Sequence, residues 1–251
     1  MANSIEISEE DGVRYLHFGS HWIQGAMRIA RPWSLELEYT RDMMFPLLLR
    51  PMPRWPRNVL LIGLGAASLT KFLYRNRPHS ALTVVEIDAA VVNVAAQSFK
   101  LPDDPKRLAI TICDGYDYVA ATDRQFDLIL VDGYDAKCRV GMLDTLPFHY
   151  NCRARLREQG IVATNFLNRH RGLEASLKRM GEAFDGRACA LPVGESGNIV
   201  AVAVTGASID MSLAELRSGA LKMKRDTGLS LLAMVARLIR LQAGISDRFA
   251  L

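Results

Sequence analysis

Four short stretches hold residues whose types and spacing can do chemistry. Asn58 to Ser68 reads NVLLIGLGAAS, an apolar run that breaks at Gly63 and Gly65 and continues in small residues without charge. Glycine permits the positive φ of a tight strand-to-helix turn and lets the backbone come close to a ligand. Twenty-one residues after Gly65, LTVVEID ends in Glu86 and Asp88, the offset at which an acid meets the ribose hydroxyls of a bound nucleoside. A third stretch ends in Cys113-Asp114-Gly115, where an acid can receive the amino group of an adenine. The fourth, LILVDGYDAKC, brings Asp132 and Asp135 to the same edge. A pyrophosphate would require basic neighbours and more backbone N–H groups, so the expected ligand is an adenosine carrying a sulfonium.

Each motif also has a plainer reading. GxGAAS lacks the third glycine of the dinucleotide fingerprint and would serve as a tight turn with no ligand. Glu86 and Asp88 would serve as caps of the next helix, a role that suits Asp88. Asp132 and Asp135 lie in a run rich in Asp and Gly, the composition of an ordinary turn.

Bringing these groups to one edge requires strands that all end on the same side. NVLLIG, LTVVEI, LAITICDG and FDLILVDG read as strands, with helices over Ser68 to Arg75 and Ala89 to Phe99. Further on come a helix over Pro147 to Arg157, a strand GIVATNF, a helix over Gly172 to Phe184 and a strand NIVAVAV. Strands alternating with helices predict an α/β fold with a parallel, doubly wound sheet. Before them, RYLHFGSHWIQGAMRI carries two β-rich stretches around Gly19-Ser20, which predicts a small N-terminal hairpin. SLELEYTRDMMFPLLL has helical apolar spacing from Ser34 to Leu49, and Pro51, Pro53 and Pro56 close it. Leu213 to Leu241 is mostly helical, its apolar face interrupted by Arg237 and Arg240. The expected division is a small β region over 1–38 and a Rossmann-like domain with C-terminal helices over 39–251.

Composition agrees with a folded domain. Of 251 residues 49% are hydrophobic, enough for a core, which excludes a disordered chain. The net charge of +4 comes from scattered basic residues, weak ground for a nucleic-acid partner. Cys113, Cys138, Cys152 and Cys189 form no CxxC pair and no zinc-site spacing, so they read as reduced thiols, with no metal. The acidic start MANSIEISEEDG lacks the features of a secretory signal, and no apolar run approaches the roughly 20 residues of a membrane span. A cytoplasmic protein is expected.

Taken in order, NVLLIGLG, VVEID, DDPKR, CDGYDYV, FDLILVDGYD, FHY and LREQGIVATN resemble the polyamine aminopropyltransferases, the spermidine synthase family. The resemblance runs from about Gln24 to Phe166. It implies a small N-terminal β domain beside a methyltransferase-like Rossmann domain, a homodimer, and decarboxylated S-adenosylmethionine as cosubstrate. Carried onto matching positions, Glu86 would bind the ribose with Asp88 beside it, Asp114 the adenine with Gly115 beside it, and Gly63 and Gly65 the methionine-derived chain. Asp132 would act on the attacking amine, Asp135 and Tyr39 would hold the diamine, and Gln24 would line the pocket. Tyr39 has a plainer reading too, as a core aromatic at helical spacing. A diamine arrives protonated, with a pKa near that of lysine at about 10.4, so a carboxylate must orient it and help remove a proton.

Three departures bear on the substrate. Family members write the loop Gly-Gly-Gly-Asp-Gly-Gly, whose aspartate holds the ammonium of the aminopropyl chain, and here Ala66 takes that place. The family's Pro-x-Gly-Pro loop is replaced by Ala136-Lys137-Cys138-Arg139. Arg41 stands two residues after Tyr39, where an acid is usual, and would repel a diamine if it faced the pocket. The competing expectations are a methyltransferase using intact S-adenosylmethionine, a non-catalytic nucleoside-binding homologue, and a nucleic-acid binder using Lys222, Lys224, Arg225, Arg237 and Arg240.

Overall fold

The structure is a computed structural model that describes residues 5–19, 22–133, 141–167, 172–195 and 197–251. Three antiparallel strands, β1 (Ile5–Glu10), β2 (Val13–Phe18) and β3 (Ile23–Arg28), form a separate N-terminal sheet. The sequence predicts one hairpin at Gly19-Ser20; the structure adds an earlier one. Glu10 pairs with Val13 across Asp11-Gly12, whose φ values of 50° and 72° place both turn residues in the left-handed region. Asp-Gly is a favoured sequence for such a two-residue turn, and it turns IEISEE into a strand despite its acidic, exposed face.

Helices α1 (Glu38–Asp42) and α2 (Pro46–Leu49) follow. The expected single helix from Ser34 thus starts four residues later and is broken between Asp42 and Pro46. Proline has no N–H to continue the first helix but suits the first position of the second.

The main sheet contains β4 (Asn58–Ile62), β5 (Ala81–Glu86), β6 (Leu108–Ile112), β7 (Phe126–Val131), β8 (Leu156–Leu167), β9 (Ala188–Ala190) and β10 (Asn198–Val204). Their order is β6-β5-β4-β7-β8-β10-β9, and β4 to β8 pair in parallel. The doubly wound character follows from the strand period of two. Val59 and Leu61 of β4 face one core, shared with Leu216, Val235 and Leu238. Leu60 and Ile62 face the other, shared with Phe148, Met180 and Phe184. A strand buried on both faces reads as an unbroken apolar run, as NVLLI does.

The helices that cover these faces include α3 (Ser68–Asn76), α4 (Ala89–Ser98), α5 (Gly115–Ala121), α6 (Leu146–Arg155) and α7 (Leu173–Ala183). Helix α5 was not anticipated; Asp114 caps it, accepting the N–H of Tyr116 at 2.7 Å. NIVAVAV, expected as a strand, runs antiparallel to β8 as β10 and pairs with the short β9 at the sheet edge. The C-terminal segment divides at Gly228, φ 77°, into α8 (Leu213–Thr227) and α9 (Leu232–Gln242). Two short strands, β11 (Asp210–Ser212) and β12 (Arg248–Ala250), flank this pair.

Candidate active site

Strands β4, β5, β6 and β7 deliver their carboxyl ends to one edge, and the order of the sheet reverses between β4 and β7. In open parallel sheets the crevice at that switch point is where ligands bind. Gly63 sits on it with φ 94°, its N–H donating to the Val85 carbonyl at 2.8 Å. A Cβ at Gly63 would stand 2.2 Å from the carbonyl oxygen of Asp132, so this glycine lets the β4 and β7 loops touch. Gly65, φ 49°, faces the N-terminal sheet: a Cβ there would lie 3.5 Å from the Gln24 carbonyl oxygen. Gln24 is half-buried and thus stands against the glycine loop.

Glu86 is 8% exposed and already holds that loop. Its Oε2 accepts the N–H of Leu64 at 2.9 Å and its Oε1 the N–H of Asp88 at 3.0 Å. Burial raises the carboxyl's pKa, while the backbone hydrogen bonds oppose the rise. A carboxylate has about four lone-pair sites, so these backbone donors leave capacity for a hydroxyl donor. Asp88 caps α4 by accepting the Ala90 N–H at 2.8 Å, and this cap, like that of Asp114 on α5, engages one carboxylate oxygen. Gly115 is demanded by packing, since a Cβ would meet the Ile62 side chain at 2.4 Å.

The acid at the end of β7 has a fuller set of partners. Tyr39 of α1 donates its hydroxyl to Oδ2 of Asp132 at 3.2 Å. Asn165 of β8 donates its side-chain amide to Oδ1 at 2.8 Å, and Asn198 of β10 donates in turn to the Asn165 oxygen at 2.9 Å. Burial pushes the Asp132 carboxyl above the ordinary aspartate range, while Asn165 and Tyr39 pull the other way by stabilising the ionised form. A carboxylate held on both oxygens, half-buried and raised in pKa, is suited to orient an amine and take its proton.

Sequence reasoning missed the asparagines. The available signal was a polar residue at the carboxyl end of an apolar strand, because Asn165 is only 3% exposed within GIVATNF. It also missed Asp42, the acid one residue beyond Arg41. Asp42 is buried, which holds its carboxyl up at about 6 against the pull of Arg237. Arg41 is tied back to the Leu35 and Glu36 carbonyls at 3.2 and 2.7 Å, so its charge is committed there.

Asp135 and the Ala136–Arg139 segment, with Cys138, lie outside the described residues. Cys113, Cys152 and Cys189 are free thiols. Among the described residues no group of three His, Cys, Asp or Glu is placed to hold a metal, and no helix is long and apolar enough to cross a membrane. Lys222 and Arg225 pair with Asp226 at 2.7 and 3.2 Å, and Arg237 turns inward.

The profile of the spermine/spermidine synthase domain matches residues 36–193. The polyamine aminopropyltransferase of Neisseria meningitidis is 31% identical over 234 residues, covering 93% of this chain and 88% of that one. The polyamine aminopropyltransferase of Chromobacterium violaceum is 35% identical over 202 residues, 79% of this chain and 75% of that one. Among solved structures, a probable spermidine synthase from Corynebacterium glutamicum superposes with a TM-score of 0.72 at 19% identity, covering 90% of this chain and 91% of that one. The fold is therefore similar over most of the chain, including part of what lies beyond the matched domain.

Proposed function

Since the chain belongs to the spermine/spermidine synthase family, we propose that it is a transferase moving an aminopropyl group from decarboxylated S-adenosylmethionine to a polyamine such as putrescine. The observation that carries the reading is the Asp132 carboxylate, gripped by Tyr39 and Asn165 at the switch point of the sheet. In the step proposed, the amine nitrogen forms a bond to the methylene next to the sulfonium, and the carbon–sulfur bond breaks. Its electron pair stays on sulfur as a neutral thioether, and the amine's proton passes to Asp132. No metal is required for that balance.

The cosubstrate's nucleoside would lie along the edge already described. Glu86 would take the ribose hydroxyls with its remaining lone pairs, Asp88 standing beside it. Asp114 would take the adenine amino group, Gly63 and Gly65 would flank the sulfonium chain, and Gln24 would close the pocket from β3. Asp135 would join Tyr39 in holding the amine. Methyl transfer is the less favoured alternative, because the relatives that align over most of the chain are aminopropyltransferases. The protein is proposed to act as a cytoplasmic homodimer on small molecules, without nucleic acid or membrane.

Ala66 bears on how the donor is held. Its side chain is 2% exposed and packs with Leu16, Met27 and Phe99, and a Cβ on Gly25 would come within 2.5 Å of it. An aspartate at 66 would thus enter an apolar cluster. Ala66→Asp is expected to cost about 2 kcal/mol or more in stability, as an unpaired buried polar group does, without lowering KM for the donor. Urea unfolding and initial rates check this; a lower KM at unchanged stability would show that residue 66 faces the ligand.

The test of function is mass spectrometry of the purified protein incubated with putrescine and either decarboxylated or intact S-adenosylmethionine. Spermidine with methylthioadenosine from the decarboxylated donor is the expected product pair. A methylated amine with S-adenosylhomocysteine, and no spermidine, would replace the reading by methyl transfer.

A further inference from the structure

We propose that Arg237, on a helix outside the matched family domain, is a positioning residue that holds Tyr39 against Asp132 by clamping Glu38 and Asp42 at the two ends of α1. Its place in catalysis rests on the aminopropyl-transfer reading; its structural effect does not. The guanidinium donates to Glu38 Oε1 at 2.7 Å and to Asp42 Oδ2 at 2.5 Å. The three side chains are 12%, 19% and 10% exposed, so the contact is made largely out of water.

The clamp answers a weakness in α1. Five residues form little more than one turn, too short to be stable alone, and Leu37 at its N-cap offers no side-chain hydrogen bond. Glu38 in the first turn suits the helix dipole, but Asp42 at the far end opposes it. A planar fork that binds both carboxylates offsets that opposition and fixes the helix at two points, which a single ammonium cannot do. Tyr39 immediately follows the first of these points.

The other side of Glu38 is closed as well. A Cβ on Gly194 would meet all three atoms of its carboxylate group at 2.5 Å, so Glu38 is wedged between the Arg237 fork and the Gly194 backbone. Gly194 leads into β10 and Asn198, which holds Asn165 on Asp132. Asp132 is thus held from two sides, by Tyr39 from α1 and by Asn165 from β8.

The experiment uses the full chain with Arg237→Met and Arg237→Lys, each also combined with Tyr39→Phe, after thermal melting has shown which variants fold. With putrescine and decarboxylated S-adenosylmethionine, Arg237→Met is expected to lower kcat about tenfold or more while KM for the nucleoside donor changes little, as loss of positioning on the amine side does. In the Tyr39→Phe background the same change should alter kcat less than about twofold, since residues acting through one another are not additive. Arg237→Lys should lie between, and carries both measurements if Arg237→Met does not fold. Effects that multiply fully in the double variant would overturn the proposal. A crystal structure supplies an arm independent of turnover: Tyr39 should lie beyond hydrogen-bonding distance of Asp132 in the Arg237 variant. Retention of that contact would overturn the proposal even if the wild-type chain transferred no aminopropyl group, a result that would separately end the functional reading.

Discussion

Replacing Asp132 with Asn should lower kcat for amine alkylation by ~10²–10⁴-fold, the usual contribution of a positioned general base, with little change in affinity for the nucleoside. Asparagine keeps the shape of the side chain and can still meet Asn165 and Tyr39, so the loop should hold. What it loses is the ability to take a proton and to attract an ammonium. The amine then stays protonated near neutral pH, and its lone pair is unavailable for the carbon beside sulfur. Initial rates with putrescine, paired with calorimetry of methylthioadenosine, separate the two effects. A fall of less than about threefold in kcat would remove Asp132 from the proton transfer.

The pH profile tests the same assignment from the other side. Only ionised Asp132 can accept a proton, so activity should rise with pH through its pKa. Because burial lifts that pKa, the acid limb should lie above the ordinary aspartate range. Asn165 donates to the ionised form and so lowers the pKa. Asn165→Ala should accordingly move the acid limb to higher pH, whereas a shift to lower pH would contradict the hydrogen bond's role.

Gly63→Ala should be the most damaging small substitution in the loop. The added Cβ would stand 2.2 Å from the Asp132 carbonyl oxygen and 2.9 Å from its carbon, and neither is a flexible side chain that can turn away. The φ of 94° adds strain for any residue with a Cβ. Overpacking and backbone strain together predict a loss of about 3 kcal/mol or more. Displacement of Asp132 would abolish activity in whatever fraction folds. Gly65→Ala is the control: its Cβ would lie 3.5 Å from the Gln24 carbonyl, an ordinary contact, leaving mainly the left-handed penalty of roughly 1–2 kcal/mol. Urea unfolding ranks the two. A costlier Gly65→Ala would place the tight approach at the wrong glycine.

Much of this protein was legible in its sequence because the determining physics is local. NVLLI and FDLILV are unbroken apolar runs because both faces of their strands are buried, and the strand-ending acids follow from the pitch of each strand. That is why β4 to β7 and the edge carrying Gly63, Glu86, Asp114 and Asp132 could be anticipated. Local pattern also misled where another local rule was overlooked, as at Asp11-Gly12 and at Pro46.

The tertiary structure alone decided which partners those groups take. Tyr39 and Asp132 are 93 positions apart, and Arg237 lies 199 from Glu38 and 195 from Asp42. Arg237 and Arg41 read alike, as cations on helices, yet one turns inward to two carboxylates and the other back onto two carbonyls. Gly63 reads as room for a ligand, and in the structure its missing side chain is room for the backbone of Asp132. Periodicity reports whether a side chain is buried, since burial repeats with the pitch of its own element. It does not report what the side chain is buried against, because that depends on elements brought together only when the chain closes.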